Sequence, residues 1–325
     1  MKLEREITFC QALREAIDSE MSTDSSVILI GIDIGPYGGA FKVTEGLCSK
    51  YPTRIFDMPI SEAGYTGCGV GAAMLGKRSI IELQFTDWIT IASDQLVNQA
   101  ANIPYMMAGK ASIPIVLRGP CGGYDNAAAQ HSHNFESWFS FIPGLKVVCP
   151  SNAYDAKGLL VSAIRDDNPV IFFEHRKLYY TKSVVPKEQY SIPIGKADIK
   201  RAGKDLTIVS YSFMVSKSLD AAEKLAKEGI DVEVLDLRST SPIDKELILK
   251  SVAKTKRLLI VQEAWARCSV SSEIAALVAI EGIKLDSPIR RITAKEAPIP
   301  FAPVLENYIL PQTEDIVSQA RKSLG

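Results

Sequence analysis

Short, continuously apolar runs alternate with segments of helical period along almost the whole of this 325-residue chain, and few folds accept that alternation. Pro114-Ile115-Val116-Leu117 and Val170-Ile171-Phe172-Phe173 have no polar face at all. A strand that is apolar on both faces must be covered on both, as in a parallel sheet with helices on either side. Strands are expected near 27–30, 54–57, 79–85, 113–118, 145–149 and 169–174, with helices near 61–76, 89–107, 134–141 and 152–165. The first helix should start at Thr8, where Gln11 completes a capping box. From about 176 to 204 the period lapses into Lys, Pro, Tyr and Ser. Alternation then resumes, with strands near 206–211, 231–236, 257–262 and 289–293. Helices are expected near 214–228, 244–254, 269–282 and 313–323, the second capped by Asp244. The pattern predicts an α/β fold of two doubly wound domains with mostly parallel sheets, 1–185 and 204–325, joined by a linker at 186–203.

Composition removes several classes of function. With 37 basic and 38 acidic residues the net charge is -1, which leaves no footprint for nucleic acid or an anionic membrane. No apolar run approaches the roughly 18 residues of a membrane span. Six cysteines are scattered without a Cys-x-x-Cys pair, and read as small buried hydrophobes in a reducing compartment. The N-terminal residues carry acids and lack the apolar stretch of a secretory leader, so a cytoplasmic protein is expected.

Gly67-x-Gly69-x-x-Ala72, with Asp87 twenty residues past Gly67, formally matches a dinucleotide fingerprint. Its context is wrong. Such a fingerprint opens a helix directly after a strand, whereas Ser61 already stands where the N-cap belongs. The glycines then fall inside the helix, each at a cost of about 1 kcal/mol against alanine, and close approach of another helix or subunit is the natural compensation. Glu62 sits in the first turn, where a carboxylate favours the helix dipole whether or not it does chemistry. The loop from Cys121 to His133 follows a buried strand and holds two of the three histidines. A zinc site from Cys121, His131 and His133 lacks a fourth ligand at a customary spacing, and a single imidazole acting as acid, base or donor suits the loop better. Trp88 reads either as core or as a ring stacked on a planar ligand.

Taken together, ordered segments along nearly the whole chain resemble one family, the beta subunit of the thiamine-diphosphate-dependent E1 component of 2-oxoacid and acetoin dehydrogenase complexes. The resemblance is carried by Gly38 to Leu47, by Pro59-Ile60-Ser61-Glu62 with its glycine-rich helix, and by Asp94 to Ala101. It continues through Arg118-Gly119-Pro120, Gln130-His131-Ser132, Pro143 to Val148 and Asp155 to Pro169, and ends at Asp236-Leu237-Arg238 and Pro303 to Glu306.

The resemblance implies a pyrimidine-binding domain followed by a transketolase-type C-terminal domain. Glu62 matches the carboxyl that bonds N1′ of the cofactor's aminopyrimidine. A proton shared there favours the imino tautomer, whose 4′ nitrogen takes the C2 proton of the thiazolium, and the ring then serves as an electron sink. A half-buried Glu with a raised pKa would suit that sharing. Trp88 matches an aromatic position flanking the pyrimidine where relatives carry Tyr or Phe, and Gln84 and Ile60 line the same pocket. His131 matches an active-site histidine near the reacting carbonyl and the lipoyl acceptor. Backbone around Ile115, Ala163 and Ile164, with Asp166 and Asn168, matches a structural potassium site of some relatives. No Gly-Asp-Gly with a downstream Asn, the diphosphate and Mg2+ motif, occurs in this chain. The resemblance assigns that half-site to an E1 alpha subunit in an α2β2 heterotetramer, so this chain alone is expected to be inactive.

The implied reaction is cleavage of acetoin, or decarboxylation of pyruvate or a branched-chain 2-oxoacid, with transfer of the acyl unit to lipoyl-E2. Glu263 to Ser269 and Pro298 to Pro303 resemble acetoin beta chains more than pyruvate ones, so acetoin is preferred. Two rivals stand beside this reading: the C-terminal half of a split transketolase or deoxyxylulose-phosphate synthase, and a non-catalytic interaction subunit of the same fold.

Overall fold

The computed structural model describes residues 5–325; residues 1–4, on which part of the leader reading rests, lie outside the described residues. The chain divides into two compact units, Met1–Cys121 with Trp138–Ile194, and Gly122–Ser137 with Gly195–Gly325.

In the first unit the apolar runs become strands β1 (Val27–Gly31), β2 (Ile55–Asp57), β3 (Arg78–Glu82), β4 (Ile115–Cys121), β5 (Lys146–Val148) and β6 (Val170–His175). They lie in the order β5-β6-β4-β3-β1-β2, every neighbouring pair parallel. β1, β4 and β6 are buried at every position, the two-sided coverage that their composition requires. Helix α1 (Phe9–Thr23) starts from Thr8, whose hydroxyl accepts from Gln11 N while the Gln11 side chain accepts from Thr8 N. It packs on α3 (Ala153–Arg165), and α2 (Glu62–Met74) packs on β3.

The single helix expected over 89–107 is broken. The structure has a 3-10 turn at Thr86–Thr90, a π turn at Gln95–Ala100 and a short helix at Ile103–Met106. Asn102 Nδ2 bonds the Val97 carbonyl at 3.0 Å, and Pro104 has no N–H to give.

The second unit carries β7 (Asp198–Arg201), β8 (Leu206–Ser210), β9 (Val232–Asp236), β10 (Leu258–Trp265) and β11 (Arg290–Ala294) in the order β11-β10-β8-β9-β7. All pairs are parallel except β7 on β9. Strand β7 lies in the stretch that reads as patternless. It is a four-residue edge strand, Asp198-Ile199-Lys200-Arg201, whose single apolar residue gives no alternation to read. Ile208, Val234, Leu259 and Val261 pack with Met214, Ala221 and Leu225 of α4 (Phe213–Ala226). Asp244 caps α5 (Lys245–Thr255) by accepting from Leu247 N at 3.1 Å. α6 (Val270–Ile280) follows β10, and α8 (Thr313–Leu324) ends the chain after an unanticipated α7 (Pro303–Ile309), which has Pro303 in its first turn. No helix among the described residues is long and apolar enough to cross a membrane.

Candidate active site

The carboxyl ends of β1, β2 and β3 feed the loops that carry the expected cofactor pocket, the usual ligand edge of a parallel sheet. Ser61 is the N-cap of α2, although its side chain makes no capping bond, and Glu62 is the first helical residue. Ile60 just before it is 80% exposed, an unusual position for an isoleucine. Glu62 is only 5% exposed, and among the described residues nothing donates a hydrogen bond or pairs a cation to its carboxyl. Tyr65 lies one turn on, with a buried hydroxyl that has no partner among the described residues. Burial first, then the charges of Glu62 and Glu82, push this phenol well above its ordinary range.

Gln84 and Trp88 follow β3. Gln84 Nε2 donates to Asp33 Oδ2 at 2.8 Å and so ties the loop after β3 to the loop after β1. Trp88 is half-buried and meets Phe85 edge-on at 5.5 Å; Phe85 meets Phe41, which stacks on Tyr179 at 5.0 Å. One aromatic row therefore sets the angle of the indole.

Below this row lies a charge cluster that motif reading passed over. Arg118 is 1% exposed in β4; it donates to Glu174 Oε1 at 2.6 Å and Oε2 at 2.5 Å, and also to Glu82. Tyr179 donates to Glu174 Oε2 at 2.7 Å. Burial outweighs the Arg118 charge and holds the Glu82 carboxyl above the usual range. One signal was in the sequence: a lone arginine in the run Ile-Val-Leu-Arg-Gly-Pro-Cys must find a buried partner. Gly39, at φ +81°, is bare because a Cβ there would stand 2.7 Å from Glu82 Oε1.

The three central glycines of α2 divide. A Cβ at Gly69 would stand 2.5 Å from Ile81 Cδ1, so Gly69 is explained by close packing on β3. Gly71 has open space around it, and Gly67 meets only Gln95 at an ordinary 3.6 Å.

The candidate potassium ligands Ala163, Ile164, Asp166 and Asn168 lie where α3 ends, and Ile115 begins β4. The Ile164 and Asp166 carbonyls already accept from Arg78 Nη1 at 3.2 and 3.1 Å. The Asp166 carboxylate binds Lys146 and accepts from Asn168 N at 2.9 Å; against the effect of burial, these bonds hold it below its ordinary range.

His131 lies in the second unit, in the 3-10 turn Ala129–His131, and is half-buried. Its loop is closed by Gly122 N donating to the His133 carbonyl at 3.2 Å. Gly123 N and Asn134 Nδ2 both donate to Glu263 Oε1, at 2.6 and 2.9 Å, and Asn126 N donates to the Glu306 carboxylate at 3.1 and 3.2 Å. His133 stacks on Phe135 and meets Trp265 edge-on. Its ring is engaged in packing. Among the described residues no group of three His, Cys, Asp or Glu side chains is placed to hold a metal ion. The six cysteines are free; Cys10, Cys121 and Cys149 are buried as expected, but Cys68 and Cys268 are exposed.

Comparison with known proteins gives the same reading over the full chain. Residues 5–182 match the transketolase pyrimidine-binding domain and residues 195–316 the transketolase C-terminal domain. The beta subunit of acetoin:2,6-dichlorophenolindophenol oxidoreductase of Bacillus subtilis is 47% identical over 99% of this chain and 98% of that protein. That of Cupriavidus necator is 45% identical over 98% of each. A mitochondrial pyruvate dehydrogenase E1 beta subunit of Arabidopsis thaliana is 46% identical over 98% of this chain and 90% of its own. Among solved structures, a split-gene transketolase, an inactive beta4 tetramer, shares the fold at TM-score 0.81 and 21% identity over 98% of each chain. Such identity from end to end decides the matter: this chain belongs to the family of E1 beta subunits of the thiamine-diphosphate-dependent acetoin and 2-oxoacid dehydrogenase complexes.

Proposed function

We propose that this chain works with an E1 alpha subunit, in an α2β2 heterotetramer, to cleave acetoin and pass the acyl unit to a lipoyl-E2. Pyruvate and branched-chain 2-oxoacids are the alternative substrates. The observation that carries the reading is Glu62, a buried carboxyl without a protein partner at the carboxyl edge of the sheet. No bond from the described residues occupies this carboxyl, and 5% of the residue remains accessible at the surface, so a ring nitrogen able to share a proton can reach it.

Thiamine diphosphate supplies, when bound, a ring that stabilises carbanions. The residues present fit it. Glu62 would hold a proton at its N1′, Trp88 would flank the aminopyrimidine, and Gln84 and Ile60 would line the pocket. His131 donates a hydrogen bond to the oxygen on which charge develops, or a proton to the lipoyl sulfur. Mg2+ and the diphosphate fall to the alpha subunit. The proposed domains are 1–185 for the pyrimidine and 204–325 for the C-terminal unit, with the linker at 186–203; strand β7 shortens that linker, and Gly122–Ser137, inside the first span, groups with the second unit. The scattered cysteines suit a reducing, cytoplasmic setting, and the balanced charge gives no footprint for nucleic acid or an anionic membrane.

A potassium ion bound at the carbonyls of Ile115, Ala163, Ile164, Asp166 and Asn168 would be structural. It would have to compete with the Arg78 guanidinium for the Ile164 and Asp166 oxygens, because two cations on the same carbonyls repel. Assaying the complex with acetoin, pyruvate and branched-chain 2-oxoacids tests the substrate. Sugar-phosphate transfer without lipoyl-E2 would instead favour the transketolase rival.

A further inference from the structure

Glu263 and Glu306 are buried carboxylates, 4% and 2% exposed, on β10 and α7 of the second unit. Their acceptors serve the loop that bears His131. Glu263 Oε1 takes Gly123 N and Asn134 Nδ2, and so joins the two flanks of the loop at one atom. Glu306 takes Asn126 N between them. The segment they hold is strained: Tyr124, Asn126 and Ala128 have φ of +66°, +55° and +63°, a left-handed geometry that side chains other than glycine adopt only when their surroundings enforce it. Tyr124 anchors the same segment through its hydroxyl to the Pro311 carbonyl at 2.7 Å and its ring edge-on to Phe213. A Cβ at Gly123 would stand 2.6 Å from Leu310 Cδ1, so the loop also lies flush against the residue that ends α7.

From this arrangement we infer that Glu263 and Glu306 are positioning residues, which fix the backbone on either side of His131 so that its imidazole is held in place for the reaction. The inference rests on the assignment of His131 above. The carboxylates do no chemistry themselves; they turn a strained loop into a rigid mount.

The test uses the assembled complex with its alpha subunit. Glu306→Ala should lower kcat by about 10–100-fold, the scale of a small misplacement, with KM less affected and C2–H exchange of the cofactor within about 3-fold of wild type. Combined with His131→Ala it should add almost nothing, because residues acting through one another are not additive. Glu306→Gln keeps the side-chain length and an acceptor oxygen, whereas Glu306→Asp keeps the charge but withdraws the acceptor. Positioning predicts that Gln is rescued better than Asp, and this pair decides the matter if the Ala variant does not assemble. Full additivity with His131→Ala, or Asp outperforming Gln, overturns the inference while leaving His131 in its role. Wild-type turnover in His131→Ala removes the underlying assignment and the inference with it.

Discussion

At the residue scale, Glu62 and His131 lie on different loops and should govern different steps. Glu62→Gln leaves α2 intact, since an amide fits the same first-turn position, but it cannot share a proton with N1′ in the same way. C2–H exchange in the assembled complex should therefore slow by orders of magnitude. His131→Ala should leave that exchange within a few-fold of wild type, while turnover falls by roughly 100-fold, the scale of a lost oxyanion donor. His133→Ala should be far milder, because its ring packs on Phe135 and Trp265. A loss as large as that of His131→Ala would count against separate roles for the two histidines. Glu136 offers a pH test. Burial first, and also the charge of Glu263, push its carboxyl from 4.5 to about 8. Between those values the folded state holds a proton that the unfolded chain has released, so stability is full below the lower value and is lost as pH rises toward the upper one. Glu136→Gln should flatten this slope, which amounts to about 5 kcal/mol at most by linkage. Melting curves of the complex at acid and mildly alkaline pH would show it, and an unchanged slope would exclude Glu136 as its source. Ile60, Glu62, Gln84, Trp88 and His131 can be proposed from the sequence because each sits in a motif that the family resemblance picks out. Glu82, Glu174, Glu263 and Glu306 cannot: each acts through a contact 36 to 180 residues away in sequence.

At the element scale, α2 shows what periodicity delivers and what it withholds. Its existence, its N-cap position and its internal glycines were readable, but not which glycine was structural. Gly69→Ala drives a methyl into Ile81 and should destabilise the chain by about 1–3 kcal/mol, as overpacking does. Gly71→Ala meets open space and should stabilise the isolated helix by up to about 1 kcal/mol. If the Gly67 and Gly71 face meets another subunit, the same variant weakens assembly, so thermal melting and analytical ultracentrifugation should move in opposite directions. β4 carries the larger risk. Arg118→Met leaves Glu82 and Glu174 buried without their cation, and breaking such a cluster costs about 3–5 kcal/mol. A denaturation midpoint unchanged from wild type would show that the cluster is not needed for stability. Long apolar strands were the easiest elements to read, because burial on both faces leaves one composition. The broken segment over 86–106 and the charged strand β7 were the hardest, because side-chain bonds to backbone and an exposed edge override the period there.

At the scale of the whole molecule, two α/β units follow from the alternation, but the grouping of Gly122–Ser137 with the C-terminal unit does not. That grouping depends on contacts to Glu263 and Glu306, which local pattern cannot express. The chain holds the carboxyl, the aromatic and the histidine of the proposed reaction and lacks a Gly-Asp-Gly motif for diphosphate and metal. It is thus expected to be half of a site. The most direct test is calorimetric titration of thiamine diphosphate and Mg2+ into this chain, into its alpha subunit and into the mixture, with acetoin-dependent dye reduction followed in each. Weak binding and no turnover are expected for this chain alone, with tight Mg2+-dependent binding and turnover only in the mixture. Tight Mg2+-dependent binding and turnover by this chain by itself would contradict that expectation.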